Sequence, residues 1–414
     1  MAISFLLSSE YIHTQRKLVV LSDEGTSLEE LIKRLSQFKH RLSGTVQNSS
    51  ATETIRTILE SFGFQARCDF FRVPGLLVHG IALNILALWI VFVVLKNYPL
   101  SLVLYGIILV SFWGELTISF HFLRRLLPSH KTCNIETCVT AESKAVKTIV
   151  VVAHHDTPKT GLLYNLGLAE RLSSKLSKLP SPLNRFFLLP FVAAIFLGGA
   201  LTIRPVSSLS TFYALLTIFS ILVLSITFLG VVQIGFSRSS PGANDNGSGL
   251  VVLLELARRF SADKPRRNTL HLLASGAEEA GFFGVKAFMK THKELDRRKT
   301  LFINVESVGG GELHWVTSEG NLHRVEYPQS GIALLDQLEN KNAIPSLPRA
   351  PILAPTDASA LAKKGFDVVT LIALKKGMVP LNYHKISDTF DKLDTQTLTK
   401  TADVIEKIIR NLCG

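Results

Sequence analysis

The sequence predicts an α/β fold in which a mixed sheet is sandwiched by helices and interrupted by two inserted transmembrane helical hairpins. Three observations support it: strand-like and helix-like runs alternate, the strand-like runs end in polar residues, and four long runs carry almost no charge. Four short apolar runs have the length and composition of buried strands, at 148–153, 269–274, 301–305 and 368–373. Four other runs have apolar residues at helical spacing, at 250–260, 282–290, 331–339 and 395–412.

The 414 residues are enough for one large domain with additional elements, and their composition is apolar. Charged residues make up only 19% of the chain, and the mean hydropathy is +0.29. Because the excess lies in closely spaced pairs of segments, we expect four membrane-spanning helices in two hairpins. The segments are 73–95, 97–123, 186–203 and 205–237, with hairpin tips at 96–99 and 204–205.

The membrane segments leave alternative interpretations open, and one of them contains a charge. Buried core helices are the alternative interpretation, although runs this long in close pairs are typical of membrane hairpins. The third segment contains Pro190 and a Gly-Gly pair, which would also suit a re-entrant helix. Glu115 is the one formal charge inside a segment, and we expect it to lie near an interface or to pair with His79 or His121.

Basic residues flank the hairpins on the side of the α/β domain, whereas each tip carries a single basic residue. Positive flanks favour the cytoplasmic side, so we expect a multi-pass integral membrane protein with a cytoplasmic catalytic domain. The net charge of +12 also fits a lipid bilayer as partner, and no basic and aromatic motif indicates nucleic acid. The flanking residues are Arg67, Arg72, Arg124, Arg125, Lys131, Arg171, Lys175, Lys178, Arg185 and Arg238.

The hairpins interrupt the α/β domain rather than precede it. We therefore divide the chain into five parts. Residues 1–71, 128–184 and 238–414 form the domain, and residues 72–127 and 185–237 form the two hairpins. An even number of crossings leaves all three domain parts on one side of the membrane, where they can assemble.

Four cysteines do not make a disulfide framework in a chain this long, and we expect structural thiols in a reducing compartment. They are Cys68, Cys133, Cys138 and Cys413. The apolar run at residues 5–7 is too short for the core of a signal peptide.

Carboxylate and imidazole groups stand at the ends of the predicted strands. Glu278 and Glu279 follow the run that ends at residue 274. Two adjacent carboxylates can have different roles, since one can bind a cation while the other accepts a proton. His154 and Asp156 follow another strand and share one face of it, because side chains alternate along a strand. Glu306 ends a third strand. Solvated helix starts and strand ends are the alternative interpretation.

Two loops add one candidate each. Asp245 lies in the small-residue turn 241–249 just before a helix, where it could bridge two cations or simply belong to a helix cap. His384 lies in a polar loop four residues before Asp388, and a solvated histidine is the alternative there.

Mixed imidazole and carboxylate groups are typical zinc ligands. In their order along the chain and in their local sequence, the motifs resemble the zinc-dependent exopeptidase family. That family contains bacterial leucyl aminopeptidase, aminopeptidase Y and glutamate carboxypeptidase. The resemblance covers residues 27–71, 132–160 and 240–413. The motifs that carry it are His154 to Asp156, Gly242 to Gly249, Glu278-Glu279, Asn304 to Glu306, and Tyr383-His384.

The resemblance implies two zinc ions per chain, bridged by Asp245. His154 and Glu306 would complete one site, and Glu279 and His384 would complete the other. The implied activity is metal-assisted hydrolysis of peptide bonds, most simply the removal of amino-terminal residues. A carboxypeptidase, a glutaminyl cyclase with one zinc, a non-catalytic scaffold and a transporter are the alternatives, and the oligomeric state is not predicted.

The family pattern also implies roles for two further carboxylates. Glu278 would be the general base on the water between the ions, and Asp156 would support the ligands from behind. Glu306 departs from the pattern, since aspartate is usual at this position. Its stem is one methylene longer but carries the same ligand atoms, so we expect ligation and leave the identity of that metal open.

Overall fold

The computed structural model describes residues 27–412, except for 96–97, 177, 180–182, 184, 204–209 and 376–377. Half of the predicted first hairpin tip (residues 96–97), all of the second tip, Cys413 and the apolar run at residues 5–7 lie outside the described residues.

Nine strands of the described residues form one mixed sheet. Its order is β1-β2-β4-β3-β5-β9-β6-β7, with β8 beside β6. The four strands β4, β3, β5 and β9 run parallel, and antiparallel pairing extends the sheet on both sides. The strands are β1 Arg67–Pro74, β2 Ser129–Val139, β3 Lys147–His154, β4 Asn268–Ser275, β5 Thr300–Glu306, β6 Glu312–Glu319, β7 Val325–Glu326, β8 Arg349–Ile352 and β9 Asp367–Leu374.

Helices pack on both faces of the sheet, which confirms the predicted mixed α/β fold. Side chains of β3 alternate between two cores: Val151 faces the core formed with α1, α2, α9 and α13, and Val150 faces the core formed with α10 and α12. The helices are α1 Leu28–Ser36, α2 Val46–Ser61, α3 Leu77–Val94, α4 Tyr98–Leu116, α5 Leu162–Asn165, α6 Leu168–Leu176, α7 Leu188–Ile203, α8 Ser210–Phe236, α9 Gly249–Ala262, α10 Phe283–Thr291, α11 Gln329–Asn340, α12 Asp357–Ala362 and α13 Thr395–Asn411.

The four helices α3, α4, α7 and α8 form a separate apolar cluster whose buried centre includes Ile85, Phe112 and Leu197. Among the described residues, α3, α4 and α8 are long and apolar enough to cross a membrane, whereas α7 has only 16 residues. Large apolar side chains on their outer surface remain exposed, as at Ile218 (65%) and Leu229 (65%) on α8. The third predicted segment, 186–203, is therefore shorter than a usual span in the part that the structure describes.

Glu115, near the end of α4, is fully buried. One of the two predicted partners is present: the Glu115 carboxylate lies 3.4 Å from Nδ1 of His121. Nε of Arg124 lies closer, at 3.0 Å, and the sequence did not predict this ion pair. The described cysteines, Cys68, Cys133 and Cys138, are free thiols.

Candidate metal centre

The predicted metal ligands gather where the parallel strands end. His154 is the last residue of β3 and Glu306 is the last residue of β5. The end of β4 lies beside the end of β3, since Ser275 pairs with His154, and the loop after it carries Glu278 and Glu279. Because β3 lies between β4 and β5, the fold brings these side chains to one edge of the sheet.

One group of side chains is centred on His154. Its Nε2 lies 3.2 Å from Oδ1 of Asp245 and 3.5 Å from Oε1 of Glu306. All three side chains are buried. Asp245 enters from the turn before α9, as the sequence predicted, and it is not the N-cap of that helix, because Ser248 occupies that position.

A second group is centred on His384. Its Nε2 lies 3.3 Å from Oδ2 of Asp245 and 3.6 Å from Oε1 of Glu279. The ring of Tyr383 stacks on the imidazole with 4.0 Å between ring centroids, and the ring centroid of Tyr164 lies 4.8 Å from that of the imidazole. Asp245 therefore presents one carboxylate oxygen to each group.

The geometry of both groups fits zinc. In each group the ligand atoms lie within 4.8 Å of one another. Two tetrahedral ligands about 2.0 Å from a zinc ion are about 3.3 Å apart, close to the separations of 3.2–3.6 Å between the paired atoms. Oδ2 of Asp245 is buried and has no hydrogen-bond partner, which is costly unless a cation binds it.

Asp156 lies behind both groups and holds the loop that carries the two glutamates. Its Oδ1 accepts a hydrogen bond from the backbone N–H of Glu278 at 3.0 Å, and its Oδ2 accepts one from that of Glu279 at 3.2 Å. Its Oδ1 also lies 3.6 Å from Nδ1 of His154. Asp156 therefore positions three other site residues at once.

Three supporting residues were missed by reasoning from the sequence. Asp388 accepts hydrogen bonds from the N–H of Asn244 at 2.8 Å and of Asp245 at 3.1 Å. The amide of Asn246 donates to the backbone carbonyl of Val305, next to Glu306. The only sequence signal was the position of Asp388, four residues after His384. The third is the fully buried Arg41, which donates to the carbonyls of His155, Pro241 and Gly242.

The pKa shifts of Glu278 and Asp245 have opposite directions. Burial raises the pKa of Glu278 well above its ordinary value, and the neighbouring Glu279 carboxylate adds to the rise although His154 opposes it. Burial would also raise the pKa of Asp245, but the imidazoles of His154 and His384 lower it overall. Burial also raises the pKa of Glu279 well above its ordinary value, with Asp245 adding to the rise, so the crowded carboxylates of this cluster favour neutralisation by protons or by cations.

Known proteins are similar to this chain in sequence and in fold. Residues 229–409 match the model of Peptidase family M28. A vacuolar membrane protease of Schizosaccharomyces japonicus is 40% identical over 70 residues, and aminopeptidase YwaD of Bacillus subtilis is 39% identical over 93 residues. These regions are 17% and 21% of this chain, and they span only 8% and 20% of the two relatives.

Solved structures with little sequence identity show the same fold. The aminopeptidase from Aneurinibacillus sp. strain AM-1 aligns with a TM-score of 0.54 at 14% identity, covering 94% of each chain. The glutaminyl cyclase of Bacteroides thetaiotaomicron aligns with a TM-score of 0.53 at 14% identity, covering 95% of this chain and 99% of that one. The match of residues 229–409, the similarity to a curated aminopeptidase and the shared fold together support a co-catalytic zinc exopeptidase family for the α/β domain.

Proposed function

We propose that this chain is a membrane-anchored zinc peptidase that removes amino-terminal residues from peptides. The proposal is carried by one observation: the two oxygens of Asp245 face two different groups of ligands. A single-metal enzyme does not need a carboxylate divided in this way. The amino-terminal preference is supported by the 39% identity to aminopeptidase YwaD in the matched region.

Two zinc ions per chain would be held by the residues of the two groups. His154 and Glu306 would bind one ion, Glu279 and His384 would bind the other, and Asp245 would bind both. Bound zinc would activate a water molecule and stabilise the negative charge that develops on the peptide carbonyl oxygen.

The side chains of this chain would handle the proton. Glu278 would accept a proton from the attacking water and return it to the leaving amine, a role that its position beside His154 and Glu279 supports. Asp156 would hold Glu278 and Glu279 in place by accepting hydrogen bonds from their backbone N–H groups.

The apolar helices would anchor this domain in a bilayer as two hairpins, α3–α4 and α7–α8, over residues 72–127 and 185–237. The exposed apolar side chains of α8 support this, because a contiguous surface of this kind is costly in water. The basic residues on the domain side support a cytoplasmic orientation for residues 1–71, 128–184 and 238–414.

The activity is tested with the full chain purified in detergent. We expect elemental analysis to find about two zinc ions per chain, and we expect hydrolysis of peptides with a free amino terminus but not of the same peptides acetylated there. Release of residues from the other end would favour a carboxypeptidase, and cyclisation of an amino-terminal glutamine without hydrolysis would favour a glutaminyl cyclase. Bound zinc without either reaction would leave a non-catalytic scaffold.

The orientation is tested by single cysteines at Asn97 and Ser261 in a background that lacks the four native cysteines. An impermeant thiol reagent added to intact cells should label position 97 and not position 261. The reverse pattern would place the α/β domain on the other side of the membrane.

A further inference from the structure

The loop between β4 and α10 carries Glu278 and Glu279 on a strained backbone. Ala277 has a φ of 56° and Phe282 has a φ of 61°, and both are non-glycine residues in the left-handed region. Such conformations cost on the order of 1–3 kcal/mol each and persist only where the surroundings enforce them. Asp156 enforces the loop from one side through its hydrogen bonds to the two glutamates.

The other side of the loop is held by the end of the first apolar hairpin, in the residues that follow α4. The guanidinium of Arg124 donates a hydrogen bond to the carbonyl oxygen of Ala280, directly after Glu279. Lys286 donates to the carbonyl of Gly281 at 2.9 Å and to that of Ile118 at 3.0 Å, which ties the same loop to the end of the hairpin. Arg124 is fully buried.

Arg124 is itself fixed by residues of the hairpin. Its Nε lies 3.0 Å from Oε1 of Glu115, which stands on α4 and is fully buried, and its Nη2 donates to Nδ1 of His121 at 2.6 Å. Helix α3 closes over the pair at Gly80, where an added Cβ would lie 2.5 Å from Glu115 and 2.9 Å from Arg124. The guanidinium has little freedom to move away from the loop.

We propose that Arg124 is a positioning residue: held by Glu115 of the first apolar hairpin, it fixes the Ala280 carbonyl and with it the placement of Glu278 and Glu279. The inference rests on the proposed function of those two glutamates. It gives the hairpin a part in assembling the site, in addition to any part in anchoring. A residue that acts through the loop, and not through contact with substrate, should on its loss lower kcat with little change in KM.

Arg124→Met tests the proposal, with Arg125→Met as the matched control because Arg125 is exposed in the same turn. We expect kcat of Arg124→Met to fall about 10- to 100-fold, the usual cost of misplacing reacting groups by about 1 Å, with KM within about twofold. Zinc should also be lost to a chelator at about tenfold lower concentration. Arg125→Met should match the wild type in all three measurements, and equal values in both variants would overturn the proposal.

A second variant separates positioning from the cost of leaving Glu115 unpaired. Glu115→Gln with Arg124→Met removes both buried charges, a change that proteins often tolerate well. We expect this double variant to elute as a single species and still show the low kcat and weak zinc retention. Recovery of wild-type values would show that the unpaired carboxylate, and not the lost Ala280 contact, caused the defect. If the wild type itself lacks peptidase activity the proposed function fails, whereas the chelator measurement still decides the role of Arg124.

Discussion

Two clusters of imidazole and carboxylate groups lie in this molecule, one at the ends of the parallel strands and one formed by β2, β4 and the end of α10. In the second cluster, Oε1 of Glu136 lies 2.7 Å from Nδ1 of His271 and 3.2 Å from Nε2 of His292. Its three potential ligand atoms lie within 4.8 Å of one another, as they do around His154 and His384. Proximity alone therefore does not distinguish the two clusters.

The clusters differ in whether their polar atoms already have partners. Glu136 places Oε1 against both imidazoles and Oε2 at 3.4 Å from Arg67. Oδ2 of Asp245, by contrast, is buried and lies 3.3 Å from Nε2 of His384 without forming a hydrogen bond. The comparison teaches that a metal centre is marked by ligand atoms that the protein itself leaves unsatisfied.

The balance of acidic and basic groups also differs between the two clusters. Burial opposes ionisation of Glu136, but its hydrogen bonds with His271 and His292 lower its pKa to about 2. The strand-end cluster instead combines four carboxylates with only two imidazoles: Asp245, Glu278, Glu279 and Glu306 with His154 and His384. The first arrangement is stable as an ion-paired network, whereas the second holds excess negative charge that divalent cations would neutralise.

The largest expected effect is on turnover in Glu278→Gln. The amide cannot accept the proton, so kcat should fall by about 10²- to 10⁴-fold while the zinc content stays at the wild-type level. Glu136→Gln is the matched control, since it makes the same change in the ion-paired cluster and should leave kcat unchanged. Full activity in Glu278→Gln would exclude the proton-transfer mechanism.

Glu279→Gln should separate the two adjacent glutamates. Oε1 of Glu279 faces His384, so this variant should lose metal as well as turnover, whereas Glu278→Gln should lose turnover alone. Elemental analysis of both proteins, purified side by side, measures the difference. Equal metal loss in the two variants would remove the assignment of Glu278 as the base.

Glu306→Ala should have a smaller effect on metal content. Oε1 of Glu306 lies 3.5 Å from His154 despite the extra methylene, so we expect the zinc stoichiometry to fall from about two toward one. His292→Ala removes a histidine from the other cluster and should leave the stoichiometry unchanged. Unchanged metal and activity in Glu306→Ala would make Glu306 a strand-end carboxylate only.

Much of the fold and of the site could be predicted from the sequence because both depend on local patterns. The apolar run before His154 and the run before Glu306 predicted two buried strands, and the ends of parallel strands necessarily meet at one edge. The division of ligands between two ions came from the family resemblance, and the ligand roles of these residues stay predictions.

The remaining features depend on contacts between residues far apart in sequence. Arg124 contacts Ala280 across 156 positions, and Asp388 holds the backbone of Asp245 across 143 positions. Neither residue has a periodic or spaced pattern around it that would indicate its partner. The same holds for Glu136 and His271, which look like ordinary polar positions on two strands until β2 and β4 pair.

The smallest expected effect is a change in the pH dependence of stability in Glu136→Gln. Burial opposes protonation of His271, but contacts with Cys138 and Glu136 raise its pKa from 6.5 to about 9. A pKa raised by folding stabilises the folded state fully below about pH 6.5, and the contribution is lost as the pH rises through about 9. The lowered pKa of Glu136 acts in the opposite sense, since its contribution is present above about pH 4.5 and is lost as the pH falls toward 2. The wild type should therefore exceed Glu136→Gln in free energy of unfolding by about 1–3 kcal/mol near pH 6. This difference in free energy of unfolding should shrink by pH 9.5, as measured by denaturant unfolding in detergent.

Because the cluster is predicted to hold no ion, a chelator should not alter the difference. A chelator that abolished it would show that this cluster, too, binds a metal.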